Sequence, residues 1–522
     1  MSELHRSRQI ENGKRLSAPQ TAALMVCLTL ISKGFGFVRE LIYAGSFGTS
    51  YIADAFTMAQ GIPGVLLGGI LGGVSTAYMP MLSDFTEHQG KQAGNRFTSQ
   101  ILSLIFCIAA VGAVFGIIFA PQVIHLFAPK FDEKTATLTA YYLRIFFPFM
   151  FLSGAISTVE GYLRYHNHFL SPIIAGYFYN AGAIALIFFS AHIGYRYLAF
   201  SVATGYFLQL LFLFIVTSRN GYRFQAGLPD RERLGQILRL GFPVAAGAII
   251  SQMNNFVDKI LASGLPAGSI SSLSYGALLS GEIASLTTVI IATIFYPKIV
   301  RAASLGDWDY YNEASERSMT VSIMIAIPFS LGAIIFSEQV VQVIYERSAF
   351  DSTSTSLTVG AFRFYSLGIA FSVVATLLSH MFNSLRDTRM PVICGTIGIV
   401  CNIVLNLILI GSLQHRGLAL ATSVASAVNC TTQFSLMKKR HGELRFFPSA
   451  GKVLRIVLSS VLAVGAAVAV YRLLQFIWLP RMVYLGLSVV VAVAVYFLLL
   501  ILLGVHEILI LTNLLKEGQK NE

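Results

Sequence analysis

The chain has 522 residues, of which 55% are hydrophobic and only 12% are charged. A composition this apolar excludes a soluble globular protein and indicates an integral membrane protein. The net charge of +12 does not indicate nucleic-acid binding, because the basic residues cluster in short links between apolar runs, where they set membrane orientation and contact anionic lipids.

Apolar runs long enough to cross a bilayer predict an all-α, polytopic membrane protein with fourteen transmembrane helices. The predicted spans are residues 21–46, 56–82, 97–128, 137–163, 171–191, 196–217, 238–264, 271–297, 317–345, 356–384, 390–411, 416–436, 452–475 and 482–505. No Ala-x-Ala cleavage motif follows the first run, so we interpret it as a retained span and not as a signal peptide.

The first predicted span carries three ionisable residues within the stretch Lys33-Gly34-Phe35-Gly36-Phe37-Val38-Arg39-Glu40. An ionisable side chain in a span costs about 2.5–3.5 kcal/mol and usually faces a protein interior or a water-filled cavity. We therefore predict Arg39, Lys33 and Glu40 as substrate-binding residues, and a buried ion pair of Arg39 is the structural alternative. The two glycines are expected to let this helix bend.

The distribution of basic residues orients the predicted bundle. With a cytoplasmic N-terminus, 25 of the 37 basic residues fall in cytoplasmic segments and 7 in outer segments. By the positive-inside rule, we predict that both termini are cytoplasmic and that the link 264–271 faces outward.

The two halves of the chain resemble each other at an offset of 219 residues. Phe37-Val38 recurs as Phe256-Val257, and Arg144 recurs as Arg363. We predict two parallel six-helix lobes around a central cavity, followed by two further helices. The predicted organisation is a cytoplasmic N-terminal segment (1–20), an N-lobe (21–217), a cytoplasmic linker (218–237), a C-lobe (238–436), and the last two spans with the tail (437–522).

The repeat also points to further candidate site residues. At the position of Arg39-Glu40, the second half carries Asp258-Lys259, which we predict as gate or lobe-coupling residues. The other candidates are two further gate or coupling acids and two secondary cations: Asp54, Glu282, Arg144 and Arg363. Asp54 is either an ion ligand or a helix-end cap, and Glu282 is either an ion ligand or part of an ion pair between the lobes.

The sequence contains no Gly-x-x-x-x-Gly-Lys-Ser/Thr motif and no soluble segment large enough for a catalytic site. We therefore predict neither an enzyme nor a resident cofactor. Transport is expected to draw on a cation gradient, on the membrane potential or on the gradient of the substrate itself. The five cysteines lie in apolar runs without a Cys-x-x-Cys pair, so we interpret them as packing residues and expect no metal site.

Several motifs stand out in the chain: residues 29–40 with Phe47-Gly48 and 54–56, and later 386–391, Asn402, Asn406 and 417–423. Together they resemble the MurJ/MviN family of lipid II flippases. The similarity covers nearly the whole chain. Arg39 matches a cavity arginine of the family, Lys33 stands where arginine is usual, and Glu40 stands where aspartate is usual.

This resemblance implies membership of the multidrug/oligosaccharidyl-lipid/polysaccharide exporter superfamily and a multi-pass location in the bacterial cytoplasmic membrane. It implies a cationic cavity and a groove beside the last two spans for a polyprenyl tail. The implied substrate is an undecaprenyl-diphosphate-linked saccharide, moved from the inner to the outer leaflet by alternating access.

Two departures from the family pattern bear on the substrate. Cavity arginines of the family are missing near Leu67 and Leu278. The alternative cargo is therefore another polyprenyl-linked unit, such as an exopolysaccharide, capsule or O-antigen repeat. A multidrug/cation antiporter is a further alternative, but it would favour unpaired acids, and the acids in these spans are balanced by cations.

Overall fold

A computed structural model of the chain describes residues 18–476, 480–505 and 507. Within these residues the regular secondary structure is helical, as the apolar runs predict, apart from one isolated bridge between Arg347 and Phe350. The first six α-helices are α1 (Ala18–Phe47), α2 (Tyr51–Gln89), α3 (Lys91–Phe127), α4 (Glu133–Tyr165), α5 (Leu170–Ile193) and α6 (Ala199–Arg219), with a 3-10 turn (Tyr195–Leu198) before α6.

The second half of the chain continues with helices of unequal length. They are α7 (Arg231–Ala262), α8 (Ser269–Ile290), a π-helical turn (Ile291–Phe295), α9 (Tyr296–Leu305), α10 (Trp308–Ile335), α11 (Ser337–Tyr345), α12 (Ser352–Ser366), α13 (Ile369–Ser384), α14 (Arg389–Leu413), α15 (His415–Arg440), α16 (Ala450–Leu474) and α17 (Arg481–Leu502). The predicted segments 1–17 and 508–522 lie outside the described residues.

The offset of 219 residues found in the sequence reappears in the helix boundaries. Helix α4 begins at Glu133 and α12 at Ser352, while α5 begins at Leu170 and α14 at Arg389. Both pairs of starting residues are 219 apart. The internal repeat is therefore a repeat of helical elements and not only of residue types.

The aspartates that precede α4 and α12 are also 219 residues apart and play the same local part. Asp132 accepts a hydrogen bond from the backbone N–H of Thr135 at 3.3 Å, and Asp351 accepts one from the N–H of Ser354 at 2.8 Å. Each carboxylate occupies one of the N–H groups left unpaired at a helix start. Asp132 also accepts a hydrogen bond from the Thr135 hydroxyl at 2.6 Å. This hydroxyl for Asp132, and the Ser354 N–H for Asp351, are the main causes that hold the pKa of each carboxyl below its usual value.

Among the described residues, nine helices are long and apolar enough to cross a membrane, or up to eleven when each bent pair counts as one span. One pair is formed by the two parts of α2, bent by 47°, and the other by α12 and α13, bent by 42°. The three remaining predicted spans coincide with α1, α7 and α15. Two of these helices, α1 and α7, carry the predicted charged sites.

Contacts divide the chain into two compact units. The first contains the described residues up to Phe47 together with Met58–Phe256. The second contains Gly48–Thr57 together with the described residues from Val257 onward. This boundary falls inside α7, beyond the predicted linker 218–237. The two lobes, 21–217 and 238–436, are predicted from the internal sequence repeat, and their boundaries stay a prediction.

The core of the first unit is rich in aromatic residues. Tyr78 and Phe97 stack with ring centroids 5.9 Å apart, and the Tyr78 hydroxyl lies 2.8 Å from the Thr98 hydroxyl. Tyr222, in the segment after α6, is buried and its hydroxyl lies 2.8 Å from the Ser99 hydroxyl. Burial raises the pKa of Tyr222 to about 12. The predicted linker is thus anchored on α3.

Close helix packing in the first unit depends on glycines of α2. A Cβ atom added to Gly69 would lie 2.6 Å from the Ala245 carbonyl oxygen, and one added to Gly73 would lie 2.5 Å from that of Gly241. No side chain fits at such distances. Glycine at these two positions therefore provides the small surface that close helix packing requires.

In the second unit, the last two helices are fixed to α10. The Tyr496 hydroxyl donates to the Met324 carbonyl oxygen at 2.7 Å within the core. Lys452 forms ion pairs with Glu316 at 3.0 Å and with Glu507 at 2.7 Å. The pair α16–α17 is therefore a packed part of this unit, while the groove expected beside it for a polyprenyl tail stays a prediction.

Candidate functional site

The first candidate site lies on α1. Arg39 donates to the Glu40 carboxylate from Nε at 3.2 Å and from Nη2 at 2.6 Å, and its Nη1 donates to the Asn180 side-chain oxygen at 3.3 Å. The guanidinium carbon lies 5.3 Å from the centroid of the Tyr179 ring, within range of a cation–π contact. The ion pair considered as the structural alternative is therefore present.

This ion pair is still open to a ligand. The side chains of Arg39 and Glu40 remain 22% and 28% exposed. A guanidinium has five N–H donors, and the hydrogen bonds described for Arg39 within the resolved part of the chain use three of them. The remaining N–H groups can donate to an oxyanion, so the pair and a substrate-binding role are compatible.

Helix α5 positions Arg39 through Asn180. The Asn180 amide nitrogen donates to the Gly176 carbonyl oxygen at 3.0 Å, which leaves its oxygen as the acceptor for Arg39. A Cβ atom at Gly176 would come within 3.0 Å of the Ser32 hydroxyl, so glycine here lets α5 approach α1. Helix α1 continues without interruption through both of its glycines, and Lys33 is exposed on it.

The second candidate site lies on α7 and has the opposite polarity. The Asp258 carboxylate accepts a hydrogen bond from the Asn406 amide at 2.6 Å and one from the Thr422 hydroxyl at 3.0 Å. Asn406 comes from α14 and Thr422 from α15. Both partners are neutral donors, so the carboxylate is solvated by protein dipoles.

Asn402 completes this polar cluster in the second unit. Its side-chain oxygen accepts from the Asn406 amide at 3.1 Å, and its amide donates to the Thr422 hydroxyl at 3.2 Å. Asn402 and Asn406 are almost fully buried, and the Asn406 oxygen has no hydrogen-bond partner within the described residues. The cluster thus gathers a carboxylate, two amide oxygens and a hydroxyl, which are ligands that suit a hard cation.

Sequence reasoning did not identify Asn180, Asn406 or Thr422 as site residues. A signal for Asn406 was available, because Asn402 and Asn406 are four residues apart and share one face of a predicted span. Two amides on one face of an intramembrane helix require polar partners.

Asp54 is a helix-end cap in the structure. Its carboxylate accepts hydrogen bonds from the backbone N–H groups of Gly268 at 2.6 Å and Ser271 at 2.7 Å, and from the Ser271 hydroxyl at 2.7 Å. These donors lie at the start of α8. Nearby, the Thr49 hydroxyl lies 2.9 Å from that of Ser354. Gly48–Thr57 is thereby tied to the second unit, and a coupling role for Asp54 stays a prediction.

The remaining predicted residues have separate surroundings. Lys259 is half-buried beside Asp258, and the exposed Glu282 accepts a hydrogen bond from the Ser285 hydroxyl at 3.3 Å. The two secondary cations bind neutral acceptors: Arg144 donates to the Ile117 carbonyl oxygen at 3.2 Å, and Arg363 donates to the Ser337 hydroxyl at 2.9 Å. Leu278 is half-buried on α8, while the Leu67 side chain lies outside the described ones.

Comparison with known proteins gives a consistent picture. The sequence model of the family described as "Lipid II flippase MurJ" matches residues 43–506. A "Probable lipid II flippase MurJ" from Rhizobium tropici is 26% identical over 500 residues, which is 91% of this chain and 92% of that protein. The "Lipid II flippase MurJ" of Burkholderia cenocepacia is 25% identical over 505 residues, or 91% and 95% of the two chains.

Solved structures share the fold. "Lipid II flippase MurJ, inward closed conformation" superimposes with a TM-score of 0.77 at 23% identity and covers 91% of this chain and 98% of that one. An inward-facing multidrug resistance MATE family transporter of the MOP superfamily gives a TM-score of 0.66 at 14% identity, with 82% and 100% coverage. The all-α membrane-transporter fold predicted from the sequence is confirmed.

Proposed function

The chain belongs to the lipid II flippase MurJ family, and from this premise we propose that it moves lipid II, the undecaprenyl-diphosphate-linked peptidoglycan precursor, from the inner to the outer leaflet of the cytoplasmic membrane. The protein is a transporter and not an enzyme, and it crosses the membrane several times. Alternating access is the mechanism that suits a cargo with a bulky polar head, because the head must be sheltered from hydrocarbon throughout the crossing.

The observation that carries this proposal is the partly open Arg39 site. A diphosphate cannot cross hydrocarbon without pairing its charge. Arg39 lies on a membrane helix, is held in place by Glu40, Asn180 and the Tyr179 ring, and keeps donors for a further acceptor. Planar guanidinium N–H groups bind phosphate oxygens in pairs, which a lysine ammonium cannot do.

We propose further that a cation gradient acts on Asp258. Its carboxylate, the amide oxygens of Asn402 and Asn406 and the Thr422 hydroxyl form an oxygen-rich cluster that would accept a proton or a small metal cation. A cation bound there changes the charge of the second unit. Even a coupling of about 1.4 kcal/mol would shift a conformational equilibrium tenfold.

The experiment that tests the function is complementation. Expression of this chain in cells depleted of their lipid II flippase should restore growth and the appearance of lipid II in the outer leaflet. In a parallel arm, cells that lack the exporter of a different polyprenyl-linked repeat unit should not be rescued. Rescue only in the second arm would overturn the proposal and favour the other cargo.

The orientation is also a proposal: we place both termini in the cytoplasm and the link 264–271 outside. Ala267 in this link is exposed, whereas Ser269 is buried. An Ala267→Cys variant should react with an impermeant thiol reagent in intact cells, and the unaltered chain serves as the control. Labelling that requires lysis would contradict this orientation.

A further inference from the structure

Helix α9 is a short amphipathic helix that follows the π-helical turn after α8. Its buried residues Ile299 and Ala302 are three positions apart and pack in the core of the second unit. Lys298, Arg301 and Leu305 follow one another at spacings of three and four and are all exposed. One face of α9 is thus held by the core, and the other presents two cations and a leucine.

The turn after α9 brings the start of α10 alongside this exposed face. Gly306 has a φ of +69°, in the left-handed region that favours glycine. Asp307 then accepts a hydrogen bond from the backbone N–H of Tyr310 at 3.0 Å and so caps α10. The geometry of the turn is therefore fixed by a glycine and a cap.

A cavity of about 510 Å³ lies in this corner, lined by Lys298, Arg301, Leu305, Asp307 and Tyr310 among others. Its volume is in the range of sites that hold small ligands or head groups. Within the described residues neither Lys298 nor Arg301 forms an ion pair. The cavity therefore carries two cations, opposed by one carboxylate that is already engaged as a helix cap.

Two basic residues near α9 in the chain or in the same unit, Arg317 and Lys452, differ from Lys298 and Arg301 in this respect. Arg317 pairs with Glu313 at 2.5 Å, and Lys452 pairs with two glutamates. Their charges are compensated within the protein. Lys298 and Arg301 have no such compensation within the described residues and are therefore available to an anionic partner from outside the chain.

The exposed residues that line the cavity or follow it directly in the chain have the composition of a membrane interface: Leu305 and Tyr310 line it, and Trp308 follows the lining residue Asp307. Leu305 is 70% exposed and Trp308 is 49% exposed. Tryptophan and tyrosine are enriched where a protein meets lipid head groups, and an amphipathic helix with basic residues lies along that interface. The positive-inside rule assigns this segment to the cytoplasmic side.

From these observations we infer that the corner between α9 and α10 binds the phosphate head group of an anionic phospholipid. Lys298 and Arg301 pair with the phosphate, while Leu305 and Trp308 contact the upper part of the acyl chains. This site is distinct from the Arg39 site and does not depend on the identity of the flippase cargo.

The test uses tryptophan fluorescence of the full chain. The sequence has two tryptophans, Trp308 and Trp478, so Trp478→Phe leaves Trp308 as the reporter. The protein is reconstituted in vesicles of phosphatidylcholine and phosphatidylglycerol in which one lipid carries brominated, quenching chains. Brominated phosphatidylglycerol should quench Trp308 several-fold more strongly than brominated phosphatidylcholine at equal mole fraction. This preference should fall as salt is raised, because screening weakens the attraction.

Two double variants give the matched comparison. Lys298→Gln with Arg301→Gln should lower the lipid preference by roughly fivefold per cation, or up to roughly thirtyfold for both. Lys438→Gln with Lys439→Gln removes equal charge from exposed positions at the end of α15 and should leave the preference unchanged.

Three results would overturn the inference. They are equal quenching by the two lipids in the parent protein, an equal loss in both double variants, and displacement by a polyprenyl diphosphate at lower concentration than by phosphatidylglycerol. The salt titration uses the parent protein, so the inference stays falsifiable even if a double variant does not fold. None of these results bears on complementation, so the flippase proposal is tested separately.

Discussion

The sites on α1 and α7 occupy corresponding places in the repeat, but their chemistry is inverted. On α1 a cation, Arg39, is held by an acid and an amide oxygen. On α7 an acid, Asp258, is held by an amide N–H and a hydroxyl. In both cases the amide comes from the fifth predicted span of its half, since α5 supplies Asn180 and α14 supplies Asn406.

This inversion indicates that the two halves of the repeat share a scaffold but bind ions of opposite charge. Hydrogen-bond acceptors around the guanidinium of Arg39 fix its position as a cation that can bind an anion. Hydrogen-bond donors around the carboxylate of Asp258 favour its charged form, which can bind a cation. The cargo of the proposed function is an anion, and the proposed driving ion is a cation. Each half of the repeat would then bind the partner of opposite charge.

The largest effect is expected from Arg39→Ala. Two charge-assisted hydrogen bonds to phosphate contribute about 1.5–3 kcal/mol each, so their loss should lower lipid II transport by roughly a hundredfold or more and abolish complementation. Arg39→Lys should be intermediate, because it keeps the charge but not the planar pair of donors. The measurement is complementation at matched protein abundance in the membrane, with the exposed, ion-paired Arg317→Ala as the control.

A second variant separates the cargo role from the ion pair. Arg39→Ala leaves Glu40 without its partner, which by itself can impair folding. The combination of Arg39→Ala with Glu40→Gln removes that unpaired charge. Transport should stay lost in the double variant. Recovery of transport would mean that Arg39 serves only to neutralise Glu40. The proposed binding of the anionic cargo at the α1 site would then be wrong.

A smaller effect is expected from Asp258→Asn. The side chain keeps its shape and can still contact Asn406 and Thr422, but it loses its charge. Transport in proteoliposomes should fall about tenfold, which corresponds to about 1.4 kcal/mol, and should no longer respond to an imposed proton or sodium gradient. Asp309→Asn changes an exposed acid on α10 and is the control. A normal gradient response in Asp258→Asn would place the coupling elsewhere.

The helices, and the ion pair between Arg39 and Glu40, could be predicted from the sequence for a clear physical reason. Long apolar runs must be helices in a membrane, and three ionisable residues in one span stand out against them. Arg39 and Glu40 are also neighbours in the chain, so their pairing needs no knowledge of tertiary packing.

The partners of Asp54 and the role of Asn180 could not be predicted, because they depend on tertiary packing that local sequence patterns do not encode. Asp54 caps a helix whose first residue is Ser269, more than two hundred positions away, and this contact lies within the unit that contains Gly48–Thr57. Asn180 is an isolated polar residue in an apolar span, and only the approach of α5 to α1 gives it a role. The inversion between the two sites could be seen only after these partners were known.

The smallest effect, a modest loss of stability, is expected at the helix caps, which are the same in both halves of the repeat. Asp132 and Asp351 are helix caps at equivalent positions, so Asp132→Ala and Asp351→Ala should each lower the free energy of unfolding by about 1 kcal/mol, and the two effects should add. Asp351→Ala is expected to be slightly larger, because Ser354 also binds Thr49.

The effect of the caps should depend on pH in a defined direction. The pKa of each carboxyl is lowered in the folded protein by its hydrogen bonds, so each contributes stability above its unfolded pKa of about 4 and loses it as the pH falls through the lower folded value. The difference in thermal unfolding midpoint between the parent and each alanine variant should therefore be constant from neutral pH down to about pH 5 and shrink below about pH 4. Asp309→Ala, which removes an exposed acid in the first turn of α10, is the control. We expect the two cap variants to lose similar stability, whereas the Arg39 and Asp258 variants should lose transport to different extents. That result would mean that the two halves of the repeat differ in their charged sites and not in their helical scaffold. A cap that stabilises only one half would contradict this.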